Sequence, residues 1–101
     1  MHVCDVSALS AAERTEHQAL ASRVAASIVR TLELPDGYAF ELDDRVPIGE
    51  LAAWTGFERR CCPFIDITLE FRREKGPTTV RLTGSEGVKE FIRAEFPRIA
   101  G

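Results

Sequence analysis

Long apolar runs are missing from this chain. No stretch approaches the roughly 20 residues that a bilayer-spanning helix needs, and the opening MHVCDVSALSAAER has no basic segment followed by an apolar one. Membrane insertion and export are therefore not expected, and a cytoplasmic location is. Charge of one sign is missing too: 13 basic and 16 acidic residues are interleaved, for a net charge of -3. Without a continuous positive surface to neutralise phosphates, nucleic acid is excluded as a first partner. There is no internal repeat or low-complexity tract, no G-x-S-x-G elbow, and no pair of histidines four residues apart. Standard hydrolase and zinc-protease readings have no support.

Cysteine is scarce, with three residues, an odd number. In a chain with no export signal this argues for reduced thiols over a disulfide framework. The C-x-x-C spacing of a redox pair is also absent. Cys61 and Cys62 are adjacent, and neighbouring cysteines close on each other only through a strained ring.

What is present fits one globular domain over residues 1–101: apolar residues make up 45% and charged residues 29%. Residues 1–8 and 97–101 are expected to be mobile ends. Ser10 and Glu13 form a capping box, and Leu20, Val24, Ile28 and Leu32 follow at helical spacing, predicting a helix from Ala11 to about Leu32. Pro35-Asp36-Gly37 would end it. Tyr38, Phe40 and Leu42 alternate with polar or small residues as a strand does. Pro47 opens a second helix, with Ile48, Leu51, Thr55, Glu58 and Cys62 on one face. Pro63 disfavours helical geometry at Cys62 and should stop this helix beside the cysteine pair.

Ile65 to Phe71 and a segment around Val80 and Leu82 read as a β-hairpin turning at residues 73–77. Ser85 would cap a third helix carrying Val88, Phe91, Ile92 and Phe96. The expectation is an α+β single-domain two-layer sandwich of order α-β-α-β-β-α. Its sheet would be three-stranded and mainly antiparallel, with helices on one face.

The chemistry concentrates at Cys61-Cys62. Adjacent thiols offer soft ligands to copper(I), mercury(II) or arsenite, and Cys4 would complete a three-sulfur site if the fold brings it close. Zinc would draw on Cys4, Cys61, Cys62 and one of His2 or His17. Arg59 and Arg60 favour thiolate formation, whereas the negative end of the helix opposes it. Glu58, one turn before Cys62, is placed to act as a base or an oxygen ligand, or to pair with an arginine. His17 extends the buried stripe of the first helix towards the thiols. The bland alternative is that the cysteines are small hydrophobes packed at a helix end.

ELPDGYAF (33–40), ERRCCPF (58–64) and LTGSEGVKEF (82–91) resemble the signature stretches of a family of small, uncharacterised bacterial proteins. The resemblance covers most of the chain and implies a bacterial, cytoplasmic origin; it carries no catalytic residues across. The function expected is non-enzymatic binding of a soft metal or metalloid ion through Cys61 and Cys62, with Cys4 and His17 as further ligands. One alternative is a structural or interaction module with packed cysteines, dimeric through its sheet edges. A thiol enzyme using Cys62 and Glu58 is the third reading.

Overall fold

The computed structural model describes residues 4–95. His2 and Phe96, both named above, lie outside the described residues, as do residues 97–101. The elements are a short 3-10 turn at Val6–Ala8, α1 (Ala11–Ala26), β1 (Ile28–Leu34), β2 (Gly37–Leu42), α2 (Ile48–Cys61), β3 (Asp66–Phe71), β4 (Thr78–Thr83) and α3 (Val88–Glu95). The sheet has four strands in the order β1-β2-β4-β3, and every neighbouring pair is antiparallel. The expected α+β architecture is therefore present, with one strand more than the three-stranded sheet read from the sequence.

The extra strand comes from the end of the expected first helix. The capping box forms as anticipated: the Ser10 hydroxyl accepts from the Glu13 amide at 3.1 Å, and the Glu13 carboxylate accepts from the Ser10 amide at 2.9 Å. The helix then stops at Ala26, where the buried Ser27 donates its hydroxyl to the Val24 carbonyl at 2.7 Å and its own carbonyl accepts from the Asp43 amide at 2.8 Å. Beyond Ser27 the β-branched residues Ile28, Val29 and Thr31 favour extended backbone. Pro35-Asp36 folds β1 back onto β2, with Leu34 opposite Gly37. Ile28 and Leu32 also fit a helical spacing, which is why the pattern alone extended the helix too far. Gly37 is required by close approach: a Cβ there would lie 1.9 Å from the Leu82 carbonyl oxygen on β4.

Tyr38, Phe40 and Leu42 of β2 and Val80 and Leu82 of β4 lie in one core cluster with Leu20 and Val24 of α1, Leu51 and Trp54 of α2, and Val88 and Ile92 of α3. All three helices thus cover the same apolar face of the sheet. The other face carries the ion pairs Arg30–Glu41 (3.6 Å) and Arg81–Glu70 (3.7 Å). Two details depart from the sequence reading. Ile48, expected on the buried face of α2, is 64% exposed. The third helix begins at Val88, two residues later than a Ser85 cap would place it, after Gly87 at φ 92°. Among the described residues no helix is long and apolar enough to cross a membrane.

The β3–β4 turn holds Glu74 and Lys75 at φ 59° and 57°, left-handed geometry that suits neither side chain. Lys75→Gly, alone or with Glu74→Asn, is expected to raise unfolding stability by about 1 kcal/mol, read as a higher denaturant midpoint at unchanged slope.

Candidate functional site

Pro63 follows a helix end that the backbone marks clearly. Cys61 is the last residue of α2, and Cys62 leaves helical geometry at φ -127°, ψ 63°. The Cys62 amide still donates to the Glu58 carbonyl at 2.7 Å, closing the last turn. Both cysteines are buried, and their sulfurs lie 3.6 Å apart.

The N-terminal segment is brought to this helix end by three devices. The Asp5 amide donates to the Cys61 carbonyl at 2.6 Å, satisfying one of the orphan acceptors of the α2 terminus. Arg60 reaches back to the Ala8 carbonyl at 2.8 Å and to the Glu13 carboxylate at 2.7 Å. Cys4, half-buried, is joined to Cys62 by a disulfide whose Cα atoms are 4.5 Å apart. The pairing corrects the expectation of three reduced thiols. It also evades the strained ring of a vicinal disulfide, because the bond runs to the distant cysteine and leaves Cys61 as the free thiol.

The expected metal ligands are thus brought together, but as two groups. The sulfurs of Cys4, Cys61 and Cys62 lie within 4.8 Å of one another; so do the ligating atoms of His17, Glu58 and Cys61. Cys61 belongs to both. His17 comes from α1, where it packs its ring against Phe57 of α2 with centroids 5.8 Å apart. Its Nε2 lies 2.9 Å from the Glu58 carboxylate. The partner of Glu58 is therefore His17 and not an arginine, and the sequence signal for it was only the position of His17 one turn before Leu20 and Ala21. Arg60 hydrogen-bonds to Glu13 and Ala8; its charge still favours a Cys61 thiolate, as expected, but burial and Glu58 outweigh it.

Burial dominates the electrostatics. It raises the Glu58 carboxyl above its ordinary value, against the opposing pull of His17. It also raises the Cys61 thiol, an effect that the nearby Glu58 reinforces. Burial thus favours the protonated form of Cys61, and Cys62 is engaged in the disulfide. What the arrangement offers is a compact set of soft and borderline ligands with an approach along half-buried Cys4 and His17.

Two pH effects follow. A folded-state pKa raised at Glu58 contributes stability that is complete below the ordinary 4.5 and is lost as pH rises through the folded value. Glu58→Gln keeps the shape and removes that loss, so its stability relative to wild type should increase from below pH 4.5 towards neutrality. Glu13 behaves oppositely. Its hydrogen bond to Arg60 and its capping contact lower it to about 2, so its contribution is present above 4.5 and vanishes as pH falls through about 2. Denaturation midpoints measured across this range should show Glu13→Gln flattening the acid limb; an unchanged acid limb would contradict the assignment.

Comparison with protein-family models, curated proteins and solved structures finds no match at a significant level.

Proposed function

We propose that the protein is a small bacterial, cytoplasmic binder of soft metal or metalloid ions, non-enzymatic, using Cys4, Cys61 and Cys62 in their reduced state. The observation that supports this reading is the convergence of three sulfurs from two separate parts of the chain within 4.8 Å. Thiolates select thiophilic ions, and three converging sulfurs match the trigonal demand of arsenic(III). With arsenite the chemistry balances without a redox step: three thiol protons leave with three arsenic hydroxyls as water while three As–S bonds form. The Cys4–Cys62 disulfide must first be opened, and a cellular thiol reductant supplies the two electrons. Disulfides in a reducing compartment are usually transient or redox-sensing, which suits a site that cycles between closed and ligand-ready forms.

A second reading is favoured by the 58-residue separation of Cys4 and Cys62. Closing so long a loop restricts the unfolded chain by about 4 kcal/mol, so the disulfide would act as a staple in a structural or interaction module. Association of two copies through the sheet edges β1 and β3 belongs to that reading.

Titration separates the two. Reduced protein should take up one arsenite per chain, and Cys61→Ser and Cys62→Ser should each weaken uptake by about 100-fold or more. The disulfide-bonded form should take up none. If all forms bind equally weakly, and reduction only lowers stability by about 4 kcal/mol, the staple reading holds.

A further inference from the structure

The disulfide removes two of the three sulfurs but leaves the second ligand group intact. We infer that Cys61, His17 and Glu58 form a mixed sulfur, nitrogen and oxygen site for a borderline divalent cation of the zinc or cobalt(II) class, available while Cys4 and Cys62 are joined.

The case rests on placement. Glu58 and Cys61 are three residues apart and so project from one face of α2, while His17 faces them from α1. Their ligating atoms lie within 4.8 Å of one another, and those of His17 and Glu58 are 2.9 Å apart; bonds of about 2.0–2.3 Å to a common tetrahedral ion place ligand atoms about 3.3–3.8 Å apart, so side-chain adjustments of about 1 Å close the set. Glu58 is 5% exposed and Cys61 1%, so both sit where an ion would be shielded from water, and the 19% exposed His17 side chain provides the entry. The Glu58 carboxylate meets His17 itself, at 2.9 Å. Of the two arginines that follow Glu58 on α2, Arg59 is exposed and Arg60 is held by Glu13 and the Ala8 carbonyl. A divalent ion between His17 and Glu58 would replace their hydrogen bond with two coordinate bonds, its proton moving to His17 Nδ1 or to solvent, and would displace the Cys61 thiol proton to solvent.

Three protein ligands leave a fourth tetrahedral position for water. The donor set differs in kind from the three-sulfur group: imidazole and carboxylate prefer zinc or cobalt(II), whereas three thiolates prefer arsenic(III), mercury(II) or copper(I). Cys61 serves both sets, so the state of the Cys4–Cys62 bond selects which class of ion it meets. The mixed site does not depend on metalloid uptake by the reduced protein, and either can fail alone.

The test is cobalt(II) titration of the disulfide-bonded protein, with the free-thiol count confirming one thiol per chain. One cobalt(II) should bind with a sulfur-to-cobalt charge-transfer band in the near ultraviolet and intense visible bands of tetrahedral coordination. Cys61→Ser should abolish the charge-transfer band. His17→Gln and Glu58→Gln, which preserve side-chain size closely, should each weaken binding about tenfold or more; melting curves without metal verify that they are folded. Absence of the charge-transfer band in the wild type overturns the inference, as does a band with unchanged affinity in both glutamine variants.

Discussion

Glu58 is a carboxyl placed on the inner face of a helix, and the need to give it a partner away from water determines how three parts of the chain meet. A buried, unpaired carboxylate is costly, and His17 meets it at 2.9 Å from α1. That contact fixes α1 against the C-terminal half of α2, with the Phe57 ring tilted against the imidazole. Because Arg60 is not needed for Glu58, it is free to reach across to Glu13 and Ala8, tying the start of α1 and the preceding 3-10 turn to the same helix end. Cys4 arrives with that turn. The sulfur cluster is thus a consequence of how the two helices dock, with Pro63 ensuring that α2 ends at the cysteines and does not carry them onward.

Much of this was legible from residues. The Ser10-Glu13 cap, the stop imposed by Pro63 and the inward direction of both cysteines follow from local rules that hold whatever the tertiary context. The β1 strand was not legible because Ile28 and Leu32 satisfy a helical period and a strand equally well; only the β-branched run Ile28-Val29 and Thr31 favoured the strand, and pairing with β2 decides it. The Cys4–Cys62 bond was hidden for a different reason. It joins residues 58 apart, and they are brought together by the Asp5 amide finding the Cys61 carbonyl at the α2 terminus and by Arg60 finding acceptors at Ala8 and Glu13. Three cysteines in a row of plausible roles carry no information on which two will meet.

The two ligand groups around Cys61 give the site an internal logic. Oxidation takes Cys4 and Cys62 out of play and leaves a single buried thiol beside a histidine and a carboxyl. Reduction restores three soft donors. Burial raises both the Cys61 and the Glu58 pKa; a positive ion beside them would oppose those shifts by favouring the charged forms. The protein side of the design lies in the shared pivot, Cys61, whose backbone carbonyl holds Asp5 and whose sulfur lies 3.6 Å from that of Cys62.

The most direct measurement is arsenic K-edge X-ray absorption on reduced protein loaded with one equivalent of arsenite. Three sulfur neighbours in the wild type, falling to two in Cys4→Ser, would agree with one site built from both ends of the fold. Two sulfur neighbours in both proteins, or oxygen neighbours retained in the wild type, would contradict it.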